Sequence, residues 1–450
     1  MLLTNPEYYL VLIVAFFTFW VLRPTRFAIG LIATVNLLCY ARWGRIYLLL
    51  VPAAATADFF LARAIDRNSN PFQRRCLVSI SLLINTGLIL FCRYAPHAGL
   101  VLSLSLSFYA FQALTYTLDI YRKETKPIAS YLRYISSVTF FPTIVAGPIT
   151  RVAVLAPQWN WKGVVLTGEE GGRALFLIGL GLFKKFLIAD YLGTNLVNRV
   201  FDLPTLYSGG DVLIAVYGYA FQLYYDFSGY SDIAIGSALL LGIRLPANFN
   251  LPYRALNIAD FWRRWHITFS NWLRDYLYFS LPGPRTRVMP YINLILTMAV
   301  GGLWHGISWT FLIWGLLHGT GLAVFRLWQS LRKGRKPAGV AGKLGAGLLT
   351  FHVVLLAWIF FRAASLEAAM KLLGQIASLR FSFDNTTPLF LLVLLIAAAG
   401  HFLPKSWYDL SLLRFTRTPA VVQAAVLALL VVAIRFVSTT GAAPFIYSKF

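Results

Sequence analysis

Charged residues are scarce in this chain. Of its 450 residues, 13% are charged, which is about half the ~25% typical of a soluble protein. Hydrophobic residues make up 58%, and the mean hydropathy is +0.66. A chain with so few charged residues cannot cover all of its apolar residues with a polar surface in water. The composition therefore excludes a soluble globular protein. It predicts an all-α polytopic membrane protein.

Cysteines are few, and several catalytic motifs are absent. Cys39, Cys76 and Cys92 lie in or at the edge of apolar segments and are odd in number, so we expect neither a disulfide framework nor a cysteine-based metal site. The sequence also lacks an H-E-x-x-H motif, a G-x-S-x-G elbow and a phosphate-binding loop. We therefore expect no metal centre and no permanently bound cofactor.

Acidic residues are outnumbered by basic ones, 17 to 40, which gives a formal net charge of +23. Most basic residues lie in short loops between apolar runs, as in the cytoplasmic loops of membrane proteins. We place the loops 63–75, 121–127 and 332–336 in the cytosol, and the N-terminus then lies outside. The charge predicts contacts with anionic membrane lipids or an acidic carrier protein, and no nucleic-acid partner.

Long apolar runs are abundant. A helix needs about 20 residues to cross a bilayer, and the runs predict about eleven crossings in a single membrane domain, 1–450. Two further segments, 132–150 and 255–282, are interrupted by proline, glycine and charge, and we predict re-entrant or interfacial structure there. The apolar runs are 8–22, 27–40, 46–62, 76–94, 99–118, 172–200, 211–242, 288–302, 305–330, 346–362, 388–403 and 419–438.

One histidine, His305, lies inside a stretch that is otherwise apolar enough for the bilayer. An ionisable side chain at that depth is costly, so it indicates a functional site. His318 follows thirteen positions later (318 − 305 = 13), about 140° away on a continuous helix, and should not share its face. Outside the next segment, His97 lies in a loop, and His352 and His401 lack polar neighbours in the sequence and are predicted to be structural residues at helix ends, with their hydrogen bonds satisfied.

The segment 257–275 combines aromatic residues with arginines. Asn257 is predicted to cap a helix, and Asp260 is spaced to pair with Arg263 and Arg264. Trp262 and His266 are also four residues apart. An interfacial anchor helix accounts for most of these residues. It does not account for His266, because the helix already carries enough cations to bind lipid.

The segment 224–232 places carboxylates and hydroxyls in the middle of an apolar run, where an unpaired buried charge is very unfavourable. Asp226, Ser228 and Asp232 belong to this group. Two interpretations stay open. The carboxylates form a buried network with arginines from a neighbouring helix, or the segment lines a substrate tunnel. The segment 140–151 is broken by proline and glycine. It either lines a binding site or is a bend that packs neighbouring helices together.

These segments together resemble the membrane-bound O-acyltransferase family, in the branch that includes the membrane subunit of bacterial alginate O-acetyltransferase. The resemblance is densest from about 140 to 320. It rests on FP…AGPI (141–149), DFSGYSD (226–232), NFNLPY (248–253), DFWRRWH (260–266), WLRDY (272–276), WHG (304–306) and PFIY (444–447). Two departures are a short link of 39 residues between the histidines (305 − 266 = 39) and an unusual end, FIYSKF (445–450).

The resemblance implies a ring of tilted helices around a thinned centre, with a tunnel through it. It also implies that His305 is the active-site histidine and His266 a second, supporting one. The other candidates for substrate or tunnel contacts are Trp304, Asp226, Ser228, Asp232, Trp262, Arg263, Trp265, Asn271 and Trp309.

The implied reaction is transfer of an acyl group, expected to be acetyl, from a cytosolic thioester to a hydroxyl. A hydroxyl needs a base to take its proton, and our hypothesis assigns this to His305, with His266 orienting or polarising. The oxyanion needs donors, for which Trp304, His266 and backbone N–H groups stay open.

The resemblance also implies a set of partners. The donor is acetyl-CoA or an acyl carrier protein. The acceptor pathway leads to an extracytoplasmic polysaccharide through an SGNH-type partner protein. The location is the bacterial cytoplasmic (inner) membrane, with several crossings.

Two other functions stay open from the residues alone. Intramembrane Asp226 and Asp232 with broken helices also fit a transporter or flippase. A non-catalytic scaffold of a glycan-export complex would need the Arg263 and Arg264 surface but not His305. Covalent transfer of a labelled acyl group separates the enzyme from both.

Overall fold

Nineteen α-helices form the part of the chain that the computed structural model describes, residues 3–23, 25, 27–42, 44–94, 101–144, 146–160, 165–283, 286–332 and 339–437, and no strand occurs among these residues. The helices are α1 (Pro6–Leu22), α2 (Phe27–Ala41), α3 (Tyr47–Arg67), α4 (Pro71–Tyr94), α5 (Val101–Tyr121), α6 (Tyr131–Val138), α7 (Val152–Leu155), α8 (Gly168–Leu182), α9 (Asn198–Asp202), α10 (Gly209–Leu240), α11 (Ile258–Arg264), α12 (Ile267–Trp272), α13 (Met289–His305), α14 (Trp309–Leu331), α15 (Val340–Arg362), α16 (Leu366–Ala377), α17 (Pro388–Phe402), α18 (Lys405–Arg417) and α19 (Ala420–Val437).

Short segments of other helix types connect or extend these helices. The 3₁₀ segments are Phe141–Thr143, Ala156–Trp159, Pro204–Leu206, Pro252–Arg254 and Tyr278–Ser280, and the π-helical segments are Phe183–Asp190, Gly193–Val197 and Leu273–Leu277. Single-turn π-helical stretches are rare and often occur at functional sites. Here Phe183–Asp190 directly continues α8.

Most apolar runs of the sequence coincide with a single helix where the structure describes them, whereas 172–200 and 305–330 are interrupted. Among the described helices, α3, α4, α14, α15 and α19 are long and apolar enough to cross a membrane, and α17 with α18, bent by 93°, would make a sixth span. The chain is therefore an all-helical polytopic membrane protein. The figure of about eleven crossings stays a prediction, as does the tunnel.

The two interrupted segments are broken helices. Residues 132–150 contain the end of α6 followed by a 3₁₀ turn, and residues 255–282 contain α11, α12 and two further short turns. Asn257 caps α11 as predicted, because its side chain accepts a hydrogen bond from the backbone N–H of Asp260 at 2.8 Å. Asp260 in turn pairs with Arg264 at 3.0 Å and with Arg263 at 3.6 Å.

The apolar run 305–330 begins with a break, which changes the geometry of its histidines. α13 ends at His305, and α14 starts at Trp309. The two helices then pack closely along each other. A Cβ atom added to Gly302 would lie 2.3 Å from the carbonyl oxygen of Phe311, and a Cβ atom added to Gly315 would lie 2.4 Å from the carbonyl oxygen of Met298. The hairpin therefore needs glycine at both positions.

Two of the loops predicted to be cytosolic, 63–75 and 121–127, contact each other or adjoining segments and form one face, whereas residues 333–336 of the third loop lie outside the described residues. Arg63 donates to the carbonyl oxygen of Ala129 at 2.8 Å, Lys126 pairs with Asp66 at 3.3 Å, and Arg122 donates to the carbonyl oxygen of Asp275 at 2.6 Å. α13 starts beside this face, because the Asn293 side chain donates to the carbonyl oxygen of Pro282. At ~1.5 Å per residue, His305 lies about 24 Å further along the helix.

Candidate active site

His305 is enclosed by aromatic rings at the end of α13. Its side chain is buried, at 3% exposure. The centroid of its ring lies 4.5 Å from that of Trp304, 4.9 Å from Phe361 and 5.3 Å from Trp314. These neighbours belong to three helices, α13, α14 and α15, so the hairpin and α15 together hold the imidazole in a hydrophobic wall.

His266 occupies an unusual backbone conformation between α11 and α12. Its φ of +41° is left-handed, which costs free energy for a residue other than glycine and is characteristic of functional sites. Two backbone hydrogen bonds hold the turn against the NFNLPY segment (248–253): Asn250 N–H to Arg264 O and Ile267 N–H to Asn248 O, both at 2.9 Å. The left-handed turn therefore results from pairing between two irregular segments.

The imidazole of His266 is buried and has one polar partner. Its Nδ1 lies 3.0 Å from Oδ1 of Asn248. Its ring stacks on Phe269 at 5.0 Å and meets the edge of Phe227 at 4.6 Å. Among the described residues, nothing forms a hydrogen bond with Nε2 of His266.

The two histidines belong to one site. Phe269 contacts both rings, His266 at 5.0 Å and His305 at 6.4 Å. Trp304 lies 4.5 Å from Phe269 and 4.5 Å from His305. The fold thus brings together the two residues that the sequence singled out, although 39 residues separate them.

Three of the predicted tryptophans line this aromatic region. Trp304 and Trp262 are half-buried or buried, and neither indole N–H has a hydrogen-bond acceptor among the described residues. Trp262 meets Trp314 at 5.9 Å. Trp265 is buried behind His266, 5.0 Å from Trp358. Indole N–H groups without acceptors in a buried site are available to a ligand or to water.

His318 lies in the same region, contrary to the expectation from helical periodicity. That expectation assumed one continuous helix through both histidines, and the break after His305 removes it. Trp314 contacts His305 at 5.3 Å and His318 at 4.9 Å. His318 is 1% exposed, and neither of its ring nitrogens has a hydrogen-bond partner among the described residues. Sequence reasoning missed this residue because it treated 305–330 as a single helix.

Three predicted site residues lie on the surface. Arg263 has a 68% exposed side chain, Trp309 is 71% exposed, and Asn271 is exposed. The fold does not bring them to the histidines. Trp262 and His266 also do not share a helix face, because α11 ends at Arg264.

Asp226 and Asp232 form ion pairs with two consecutive lysines. Lys185 Nζ lies 2.6 Å from Asp226, with side chains 1% and 2% exposed, and Lys184 Nζ lies 2.6 Å from Asp232. Ser228 is buried between these two positions of α10. The partners are lysines from the π-helical segment and not arginines from another helix. Two lysines inside the apolar run 172–200 were the overlooked signal.

The histidines predicted to be structural have partners where the structure describes them. His352 lies 2.8 Å from the hydroxyl of Tyr217 and 2.8 Å from the carbonyl oxygen of Leu348, and His401 Nε2 accepts from the backbone N–H of Tyr253 at 3.1 Å. His97 and the C-terminal PFIY motif (444–447) lie outside the described residues. In the described ranges, no three His, Cys, Asp or Glu side chains are grouped to hold a metal ion.

An apolar cleft lies between α1, α8 and α19, away from the histidines. Its volume is about 690 Å³, and its lining includes Ile13, Leu175 and Val431. Nearly all of its lining residues are hydrophobic, so it offers space for lipid chains and no catalytic group.

Comparison with known proteins identifies the family of this chain. The model of the membrane-bound O-acyltransferase family, MBOAT, matches residues 100–364. The peptidoglycan O-acetyltransferase of Helicobacter pylori is 37% identical over 385 residues, which are 76% of this chain and 72% of that protein. The probable alginate O-acetylase AlgI of Azotobacter vinelandii is 34% identical over 397 residues, 83% and 76% of the two chains.

A more distant relative is the teichoic acid D-alanyltransferase of Bacillus subtilis, which is 30% identical over 289 residues, 60% of this chain and 70% of that protein. The matched family segment contains the buried His266, His305 and His318. The chain therefore belongs to the membrane-bound O-acyltransferase family and is a membrane O-acyltransferase.

Proposed function

We propose that this protein transfers an acetyl group from a cytosolic thioester donor, across the cytoplasmic membrane, for the O-acetylation of an extracytoplasmic polysaccharide. The donor is acetyl-CoA or an acetylated acyl carrier protein. An SGNH-type partner outside the membrane carries the acetyl group to the polymer. The relatives named for acetylation of peptidoglycan and alginate support the choice of acetyl and of a polysaccharide.

One observation carries the proposal: His305 and His266 are both buried and share an aromatic wall in which Phe269 contacts both rings. Two imidazoles enclosed in this way are the groups of the site that can accept and return a proton at neutral pH. The surrounding rings exclude bulk water, which would otherwise compete with the hydroxyl for the thioester.

In the reaction, a new C–O bond replaces the C–S bond of the thioester, and the proton of the hydroxyl moves to sulfur. The hydroxyl oxygen attacks the thioester carbonyl carbon, and a histidine takes the hydroxyl proton as the new C–O bond forms. The tetrahedral intermediate then collapses, the C–S bond breaks, and the proton passes to sulfur to give a free thiol. A positioned base contributes roughly 10²–10⁴-fold to such a step.

The intermediate also needs hydrogen-bond donors for its oxyanion. The indole N–H of Trp304 supports this role, because it adjoins His305 at 4.5 Å between ring centroids and has no acceptor among the described residues. A donor that is already desolvated and unpaired loses no existing hydrogen bond when the oxyanion forms.

The donor approaches from the face formed by the loops 63–75 and 121–127. This face carries basic side chains, which favour an anionic donor. From it, the acyl group must travel about 24 Å along α13 to reach His305. The proposal therefore requires a passage from this face to the aromatic site.

Purified protein in nanodiscs, supplied with [¹⁴C]acetyl-CoA or [¹⁴C]acetyl-carrier protein and a hydroxyl acceptor, tests the proposal. We expect label on the acceptor from one of the donors, together with release of one thiol per acetyl group. Mass spectrometry of the surface polymer with and without the chain provides the cellular test. Unchanged acetylation of every surface polymer after deletion would overturn the proposal.

A further inference from the structure

Asn248 holds a hydrogen-bond network whose directions follow from chemistry alone. The backbone N–H of Thr268 points at the Asn248 side chain at 3.3 Å, and a backbone N–H can only donate. The atom it meets is therefore the amide oxygen, Oδ1. On the other side, Nδ2 of Asn248 donates to the hydroxyl of Ser231 at 3.2 Å, which agrees with this orientation.

A second donor on the same oxygen supports this assignment. The hydroxyl of Thr268 accepts from the backbone N–H of Ile149 at 3.0 Å, and its own proton points to Oδ1 of Asn248 at 2.9 Å. Backbone from the broken segment 140–151 therefore helps to fix the amide. Asn248 is 1% exposed, so water does not compete for these bonds.

The orientation of the amide fixes the tautomer of His266. Oδ1 of Asn248 lacks a proton and can only accept, so Nδ1 of His266, 3.0 Å away, carries the hydrogen. A neutral imidazole has one N–H, and Nε2 of His266 then holds a lone pair. Among the described residues, no donor reaches this lone pair.

A buried acceptor without a donor is costly unless a ligand supplies one. His266 contacts the rings of Phe108, Phe227 and Phe269, whereas His305 contacts Trp314 and Phe361. The two imidazoles thus face different parts of the site. In its neutral form His266 also cannot donate from Nε2 to an oxyanion.

On the basis of the proposed function, we propose that Asn248 is a positioning residue that holds His266 in the Nδ1–H tautomer. Nε2 of His266 then accepts the proton of the attacking hydroxyl. As the O–C bond forms, the O–H proton moves to Nε2, and Asn248 keeps its bond to Nδ1–H. The C–S bond electrons leave on sulfur, and the proton is returned to give the thiol. His305 then acts on the thioester side, next to Trp314.

Solid-state ¹⁵N NMR of histidine-labelled protein in membranes gives the direct readout. The spectrum of wild type minus that of His266→Gln isolates the signals of His266. We expect a protonated Nδ1 and an unprotonated Nε2 at neutral pH, the tautomer that free histidine disfavours. A protonated Nε2 in the wild-type protein overturns the proposal without any activity measurement.

Kinetics of Asn248 variants provide the functional test. We expect Asn248→Ala to lower kcat roughly 10- to 100-fold, which is no more than the lower end of the ~10²–10⁴-fold that a base contributes, with the KM for the thioester donor changed less than about twofold. Asn248→Asp keeps an oxygen acceptor opposite Nδ1 and should recover most of the lost rate. Wild-type kcat in Asn248→Ala at an equal amount of folded protein contradicts the role.

Two control variants separate positioning from packing. Ser231→Ala removes a partner of Asn248 but leaves the bond to His266, so it should keep kcat within about threefold. Asn36→Ala removes another fully buried asparagine, which bonds Phe141 N–H and Ser136 O instead of a histidine. It should lower the unfolding temperature and leave the activity per folded molecule unchanged. If Asn36→Ala lowers kcat as much as Asn248→Ala does, a general packing effect replaces the proposal.

The two proposals fail in different ways. If wild type shows the expected tautomer but transfers no acetyl group from any thioester, the proposed function fails. If wild type transfers acetyl groups but Asn248→Ala and Asn248→Asp are equally slow while folded, the positioning role of Asn248 fails.

Discussion

Two buried polar centres of this protein differ in whether their charged or polar groups have partners within the chain. Between the π-helical segment and α10, Lys185 pairs with Asp226 at 2.6 Å and with Asp190 at 2.8 Å. In the histidine site, by contrast, Nε2 of His266 and the indole N–H of Trp304 have no hydrogen-bond partner among the described residues. In the first centre each buried lysine has a carboxylate counter-charge within the chain, whereas the second centre keeps nitrogen atoms without a partner among the described residues.

The difference indicates which buried polar groups act on a substrate. A charge at membrane depth is tolerated when the fold supplies its counter-charge, and such a group is accounted for by the fold. A buried polar nitrogen without a partner lowers stability, and a fold retains it where a ligand uses it. We therefore assign the lysine–aspartate pairs to structure and the histidine site to chemistry.

The strongest test of this comparison breaks an ion pair. Lys185→Met leaves Asp226 buried without its closest cation, and we expect the folded protein to lose about 3–5 kcal/mol. Thermal unfolding in detergent, followed by fluorescence-detected gel filtration, measures the loss. The activity of the molecules that remain folded should stay close to that of wild type.

The double variant Lys185→Met/Asp226→Leu is the matched control, since it removes both charges. It should recover most of the stability, because paired removal of buried ions is often neutral. A double variant that is stable but inactive would show that this pair belongs to the reaction, and the comparison would then be wrong.

A second test concerns the hairpin that positions His305. Gly315→Ala places a methyl group 2.4 Å from the carbonyl oxygen of Met298, so α13 and α14 must move apart. We expect a loss of about 1–3 kcal/mol and lower transfer activity, measured by thermal unfolding and labelled acetyl transfer. Gly374→Ala, in α16 with nothing within 4 Å of the new Cβ, should leave both values unchanged or raise stability slightly.

The third test asks whether His318 belongs to the chemistry or to the fold. His318→Phe keeps a ring between Trp262 and Trp314 but removes two buried nitrogens that have no partner among the described residues. We expect the unfolding temperature to rise, because an unsatisfied buried polar group costs about 1–3 kcal/mol. We expect kcat/KM to fall about tenfold, which is ~1.4 kcal/mol. Higher stability with unchanged kcat/KM would exclude His318 from the site.

The smallest effect is expected at the surface. Arg263→Gln changes a side chain that is 68% exposed and lies 3.6 Å from Asp260. An exposed ion pair of this kind contributes about 0–1 kcal/mol, so acetyl transfer in nanodiscs should stay within about twofold. A large loss of cellular acetylation with normal transfer in vitro would favour a docking role for this surface.

Much of the fold could be predicted from the sequence because apolar runs of bilayer length have few alternatives to helix. Helix N-caps can also be predicted from the local sequence, as Asn257 at the start of α11 shows. The sequence also indicated His305, an ionisable residue in an apolar segment, and His266, a histidine that lipid binding by its arginine-rich segment does not account for. The order of the family motifs added that these two belong together.

The remaining features depend on tertiary contacts that a linear pattern does not contain. The left-handed turn at His266 arises from pairing with the segment around Asn248, eighteen positions earlier. His318 joined the site only because the chain reverses between His305 and Trp309. Arg263 and Trp309 match the composition of the site, yet the side chains of Arg263 in the short helix α11 and of Trp309 at the first position of α14 lie on the surface.

The most direct test of the central claim is the rate of labelled acetyl transfer by His305→Gln in nanodiscs, compared with wild type at equal amounts of folded protein. We predict a loss of at least about 10²-fold, the size expected when one positioned catalytic group of an acyl-transfer site is removed, with an unchanged unfolding temperature. A folded variant that transfers acetyl groups at the wild-type rate would contradict the assignment of chemistry to the histidine site.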